Sequence, residues 1–253
     1  MFDWGFTLAL VTNGVLIGLM YSLIALGFVL VYKATDAINF AQGEFVMLAG
    51  FIVAGMLVLA EAPFWLAVVV AVLGMVAFGF GLERVVLRPL IGRPIIAVIM
   101  ATIGLATVLR GAAPLFFGAE PRSIALPFSD EPFALGPFNL PPVQVAGALL
   151  SLGFLAAFTW FFMKSRMGVA MRAVADNQQV AMAMGINVER YFAIAWGMAG
   201  IVSALGGLAW GALLGVDVHL ALIGLKVFPV VILGGLDSVL GAIVGGLIVG
   251  VVE

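Results

Sequence analysis

The chain has 253 residues, 64% of them hydrophobic and 9% charged, with a formal net charge of −2 and a mean hydropathy of +1.27. Soluble domains are about half apolar and about a quarter charged, so this composition excludes a water-soluble domain and places the chain in a bilayer. With no cysteine, it also excludes disulfides, thiolate chemistry and Cys-ligated metal sites.

Backbone polar groups in lipid are satisfied in helices or closed barrels, and the apolar runs here are long and do not alternate. The fold expected is all-α: a polytopic helical membrane protein with about eight transmembrane or partly re-entrant helices, the amino terminus outside, treated as one transmembrane domain over residues 1–253. The first apolar run follows Asp3 rather than basic residues and has no clear cleavage site, so it reads as a span and not a signal peptide.

In chain order, spans are expected at about 10–31, 40–60, 64–82, 95–111, 143–163, 191–214, 220–233 and 238–252. Asn39 followed by Gln42 fits a capping box and starts the second span at Phe40. Residues 114–142 hold seven of the eleven prolines (114, 121, 127, 132, 137, 141 and 142), which reads as an irregular extramembrane loop. In the last stretch, Pro229 and the break Gly234-Gly235…Asp237-Ser238 divide the apolar sequence into two pieces, one of them short for a full crossing. Glycine pairs at four-residue spacing (14/18, 207/211, 211/215, 241/245, 246/250) allow helices to meet at backbone distance.

Orientation follows from loop cations. Lys33, Arg84, Arg88, Arg93, Lys164, Arg166, Arg172 and Arg190 fall on one side, and Arg122 is the clear cation opposite. The positive-inside rule then puts the amino terminus and the 114–142 loop on the periplasmic side and residues 164–190 in the cytoplasm. Within 164–190, Asp176 with Gln179 reads as a second capping box and Gly185 as a left-handed helix cap, giving two short helices. Small residues (Ala170, Ala173, Ala181, Ala183) and methionines (Met171, Met182, Met184) make an adaptable surface. Two readings stay open on pattern alone: a docking element for a soluble partner, or an interfacial helix lying along the headgroups.

Three stretches carry a family resemblance. GVAMRAVADNQQVAMAMGI closely resembles the cytoplasmic loop of LivH-type permeases from branched-chain amino acid ABC importers, a family that also includes urea and short-chain amide permeases. INFAQGEF at 38–45 looks like that family's motif at the start of its second helix, where His often replaces Gln42. LGGLDSVLGAIVGG at 233–246 is similar to its C-terminal LGG-x-GS segment, with Asp237 in place of the usual Gly. Permeases of this type usually carry a few dozen residues beyond this point, including a further apolar segment.

The resemblance implies a subunit of the bacterial inner membrane that passes a small solute from a periplasmic binding protein to the cytoplasm, beside a second, often non-identical permease and above two ATPase subunits. The sequence has no GxxxxGK[ST] and none of its three lysines follows a glycine, so ATP and Mg²⁺ would be bound by the partner ATPase, with no cofactor in this chain. ATPase coupling is expected at Gly168, Arg172, Ala173, Asp176, Asn177 and Gly185. Partners otherwise are membrane lipid, with no nucleic acid.

Polar groups at membrane depth are costly and usually face a bundle interior. Asn13, Ser22, Thr102, Thr107, Ser151, Ser203 and Lys226 stand at such depths, and a single Ser or Thr can be satisfied by the carbonyl four residues back. Lys226 could snorkel or pair with Asp217. The pathway residues expected are Asn39, Gln42, Glu44, Thr102 and Lys226; Asn39, Gln42 and Glu44 also fit capping and first-turn roles. His219 reads as an interfacial polar residue, because no second His or Cys shares a metal with it. The leading function is import of branched-chain or other hydrophobic amino acids. Urea or amide import, and an ATP-independent channel or secondary transporter, are the alternatives. An intramembrane enzyme is disfavoured by the lack of HExxH and of paired carboxylates.

Overall fold

The computed structural model describes residues 4–90, 93–128, 131–135 and 138–253. Asp3 and Pro137 lie outside the described residues. Among these residues ten α-helices follow in order: α1 (Trp4–Thr35), α2 (Gln42–Val58), α3 (Phe64–Leu82), α4 (Ile95–Phe117), α5 (Pro142–Lys164), α6 (Arg166–Asp176), α7 (Gln178–Ala183), α8 (Val188–Leu214), α9 (Ile223–Gly234) and α10 (Val239–Val252). A π turn at Glu83–Leu87 extends α3, and a 3-10 turn at Val218–Leu222 leads into α9. β1 (Phe133–Leu135) and β2 (Phe138–Leu140) pair antiparallel, with Ala134 opposite Asn139.

A helix overlaps each of the eight expected ranges among the described residues. Five are long and apolar enough to cross a membrane, and α9 with α10 forms a pair bent by 118°. The protein is a polytopic helical membrane protein. α2, at 17 residues, is shorter than about 20, the length a full crossing needs, and the reason lies in its sunken start, described below.

Burial ranks the helices. Of the central windows, 78% of α1 and 72% of α8 are buried against 6% of α4, so α1 and α8 form the axis and α4 is a rim helix. The axis is possible because small residues meet at backbone distance. A Cβ on Gly14 would sit 2.5 Å from the Gly250 carbonyl oxygen, and one on Gly18 2.6 Å from that of Gly246, so the 14/18 and 246/250 pairs face each other across α1 and α10. Gly200 of α8 meets α3 in the same way, 2.2 Å from the Met75 carbonyl oxygen.

Several local expectations are corrected. α4 runs through Pro114 to Phe117, so the loop starts at Gly118 and not at 114. Proline there vacates only the Arg110 carbonyl in the last turns of the helix, and Gly118, at φ 85°, is what ends it. Pro229 likewise sits inside α9, and the break falls at Gly235 (φ 91°), after which Ser238 caps α10 through the Gly241 N–H at 2.9 Å. The 118–141 loop is not wholly irregular: besides the β1–β2 pairing, Arg122 and Val216 exchange backbone hydrogen bonds of 3.1 and 2.7 Å.

The α1–α10 seam yields a prediction. Gly18→Leu forces side-chain atoms into the α10 backbone and lowers stability by about 1–3 kcal/mol, read as a fall in the thermal midpoint in detergent. Gly104→Ala, with nothing within 4 Å of the new methyl, leaves the midpoint unchanged or raises it.

Candidate functional site

The α1–α2 corner turns inside the protein. α1 stops at Thr35, whose hydroxyl donates to the Val31 carbonyl at 2.8 Å, and Asp36 takes a left-handed φ of 54°. The chain then runs inward, with Ala37, Asn39 and Ala41 buried. Gln42 reaches the depth of Gly27, where a Cβ would lie 2.2 Å from its Nε2.

With no water to help, the corner satisfies its own polar groups. Asn39 Oδ1 accepts from the Ala41 N–H at 3.0 Å, and Asn39 Nδ2 donates to Gln42 Oε1 at 3.2 Å. Gln42 Nε2 donates to Ser203 Oγ at 3.1 Å, and that hydroxyl donates to the Ala199 carbonyl at 2.7 Å. From α4, Thr102 Oγ1 accepts from the Phe40 N–H at 3.3 Å and donates to the Ile99 carbonyl at 2.8 Å. The expected capping box does not form: α2 begins at Gln42 rather than Phe40 and its N-cap, Ala41, makes no side-chain bond. Asn39 instead caps the turn before the helix, because Gln42 is drawn across to α8.

Two residues along α2, Glu44 forms an ion pair with Arg110 of α4, through Oε1 and Nη2. The Glu44 side chain is 4% exposed and that of Arg110 49%. The pair borders a cavity of about 530 Å³ that Phe28, Phe40, Phe228, Ile103 and Leu225 also line. The Phe40 and Phe228 rings lie 5.7 Å apart and those of Phe28 and Phe228 6.2 Å apart. Asn39, Gln42, Glu44 and Thr102 are thus brought into one region. Lys226 is not: it donates to Glu253 at 2.7 Å, while Asp217 caps the 3-10 turn through the His219 and Leu220 N–H groups. Lys226 on α9 therefore pairs with the end of α10 and not with Asp217.

Among the other polar residues at depth, Ser22, Ser151 and Thr107 donate to the carbonyls of Gly18, Gly147 and Ile103, four residues back. Asn13 Oδ1 is buried with no hydrogen-bond partner among the described residues. Arg110 was missed as a site residue by sequence reasoning, which left it without a side of the membrane. The available signal was a lone arginine inside an apolar helix, since such a cation needs a buried acid.

The second region is α6–α7. Gly168 packs where a Cβ would meet the Phe162 carbonyl oxygen at 2.3 Å, and its N–H is accepted by Ser165 Oγ at 2.9 Å. Arg172 donates to the Phe162 carbonyl and lies 5.5 Å from the centre of the Phe162 ring. These two residues hold α6 against the end of α5. The break between α6 and α7 is capped by Asn177, through the Val180 N–H at 2.9 Å, and not by Asp176, which ends α6. Gly185, at φ 81°, closes α7 as expected, with Gly185 N–H to Met182 O and Ile186 N–H to Ala181 O both at 3.0 Å. Met171 is buried, whereas Val180, Met182 and Met184 are exposed, as are Asp176, Asn177 and Gly185.

A cleft of about 700 Å³ joins this element to the end of α1, lined by Lys33, Asp36, Arg172, Ala173, Asp176 and Asp237. Arg88 bridges Glu83 at 3.0 Å and Glu189 at 3.3 Å at the same end of the bundle, whereas Arg122 sits at the other end of α8, beside Val216.

Residues 10–253 match the family described as branched-chain amino acid transport system, permease component. The chain is 32% identical to the high-affinity branched-chain amino acid transport system permease protein LivH of Salmonella typhimurium, over 95% of this chain and 83% of that protein. Identity is also 32% to LivH of Escherichia coli K12, with the same coverage, and 31% to BraD of Pseudomonas aeruginosa, again over 95% and 83%. No solved structure matches. A match that runs through the α1–α2 corner, the α6–α7 element and the α9–α10 bend shows that the chain belongs to the branched-chain amino acid transport permease family.

Proposed function

We propose that this chain is the membrane subunit of an ABC importer that moves branched-chain or other hydrophobic amino acids across the inner membrane, powered by ATP hydrolysis in a separate ATPase. The carrying observation is that its likeness to permeases named for this transport extends over 95% of the chain. The apolar cavity with one ion pair in its wall supports the same reading. A periplasmic binding protein delivers the solute, two ATPase subunits bind ATP and Mg²⁺, and a second permease, often non-identical, completes the pathway. α4, the least buried of the long helices, offers that second permease a face next to the cavity.

The cation-rich end of the bundle is the cytoplasmic one, by the positive-inside rule. There α6–α7 is the ATPase docking element, and its candidate residues divide by role. Asp176, Asn177, Val180, Met182, Met184 and Gly185 form the outer surface, while Gly168 and Arg172 position it and Ala173 lines the cleft behind it.

Co-reconstitution of the chain with its ATPase, second permease and binding protein should give ATP-dependent uptake of labelled leucine. Uptake by the chain alone, or of urea in preference to leucine, would replace this reading with one of its alternatives. Met184→Glu should weaken ATPase association in a pull-down titration by about tenfold with little change in thermal midpoint, as for other surface substitutions. Arg172→Gln instead lowers stability by about 1.5–3 kcal/mol, through loss of its bond to the Phe162 carbonyl. Because the chain has no cysteine, Gln179→Cys can be labelled selectively; an impermeant maleimide should reach it only in inside-out vesicles, and labelling of intact cells would invert the topology.

A further inference from the structure

The Glu44–Arg110 contact is singular in its use of groups. It joins one carboxylate oxygen to one guanidinium nitrogen, and neither the second Glu44 oxygen nor the remaining Arg110 N–H groups take a partner among the described residues. Burying the Glu44 carboxylate costs desolvation that one contact with a half-exposed guanidinium repays only in part, and a pair that exists for stability would be expected to use the two-pronged geometry that arginine and carboxylate allow. Here the spare hydrogen-bonding capacity sits at the wall of a cavity whose volume of about 530 Å³ falls within the range of small-molecule sites.

The surroundings divide into two kinds. The ion pair is the charged part of the wall, and Phe28, Phe40 and Phe228 with Ile103 and Leu225 form apolar walls beyond it. An acid and a base side by side suit a solute that carries both charges on one carbon. Its carboxylate fits the planar fork of Arg110, its ammonium fits Glu44, and its apolar side chain fits the phenylalanine wall. Insertion of such a zwitterion exchanges one ion pair for two and leaves the region electrically neutral, so no charge is stranded at membrane depth. A neutral solute such as an amide or a sugar offers no comparable replacement, and a solute with one charge leaves either Glu44 or Arg110 without a counter-ion.

We propose that Glu44 and Arg110 form a zwitterion-reading site within the permease itself, which parts to admit the ammonium and carboxylate of a free amino acid with an apolar side chain. This rests on the amino-acid import reading above and adds to it a selection step separate from any binding protein. Asn39, Gln42, Ser203 and Thr102 act as positioning residues, because they fix the start of α2 and hence the depth of Glu44.

The test uses the protein's lack of cysteine. Thr107→Cys puts one thiol on the cavity wall, and its modification by a methanethiosulfonate reagent is followed by intact mass of this chain in the assembled transporter, without binding protein. Leucine should slow labelling, and leucine amide and 4-methylpentanoate, which lack the carboxylate and the ammonium charge respectively, should protect at least about tenfold less well, as expected where a buried partner is left unpaired. Adding Arg110→Gln should remove the preference for leucine over leucine amide, and adding Glu44→Gln that over 4-methylpentanoate. The analogue series in the Thr107→Cys background decides the matter even if the charge variants fail to assemble. Equal protection by all three compounds, or none by leucine, overturns the proposal. Leucine uptake by the unsubstituted transporter is measured in parallel: uptake without protection sinks the site and leaves the import reading standing, whereas selective protection without uptake sinks the import reading and keeps the site.

Discussion

Gln42 lies beside Gly27 of α1, deep enough that no bulk water is available to its amide, and that placement controls the rest of this half of the molecule. A chain reversal at such depth exposes N–H and C=O groups that lipid cannot satisfy, each worth several kcal/mol if left alone. Asn39, Gln42, Ser203 and Thr102 supply the missing partners, and in doing so they tie the start of α2 to α8 on one side and α4 on the other. A helix that starts already inside the membrane needs only 17 residues to reach the far side. The same placement takes Glu44 from the headgroups, where it would be an ordinary solvated acid near a helix N-terminus, to a cavity wall where Arg110 compensates it.

Close packing supplies the rigid reference for that corner. Glycines on α1, α8 and α10 let backbones touch where larger residues would hold them apart, so α1, α3, α8 and α10 form one continuous body. α4 is held differently. With 6% of its central window buried, it is the long helix whose displacement exposes least packed surface, yet it carries Arg110 and Thr102. The cavity thus lies between a closely packed wall on α1, α2 and α9 and a wall on α4 that is buried little.

At α6–α7, backbone carbonyls and not charges on the surface dictate the layout. The end of α5 presents orphan carbonyls, and Arg172 fills that need while its guanidinium stands over the Phe162 ring. Residues of one motif therefore do different work: Gly168 and Arg172 hold α6 against the end of α5, and Met182 and Met184 lie exposed on the outside of the element.

The sequence by itself determined the membrane environment, the helical class, the eight apolar segments and the grouping of cations at one end, because composition and run length are local quantities that lipid reads directly. It also located Asn39, Gln42, Glu44 and Thr102 as polar groups in apolar surroundings, and Gly185 as a left-handed cap. It misplaced the caps at Asn39 and Asp176, since a capping pattern cannot show that Gln42 has a better acceptor on α8 or that Asn177 is the residue at the break. It ended α4 too early at Pro114, because proline terminates a helix only where the freed carbonyl has no other way to be tolerated. Only the tertiary structure decided that Arg110 belongs to Glu44 and Lys226 to Glu253, partners 66 and 27 residues apart in sequence. Such pairings are set by which helices become neighbours, and the helices are arranged by small-residue contacts whose partners no single segment encodes.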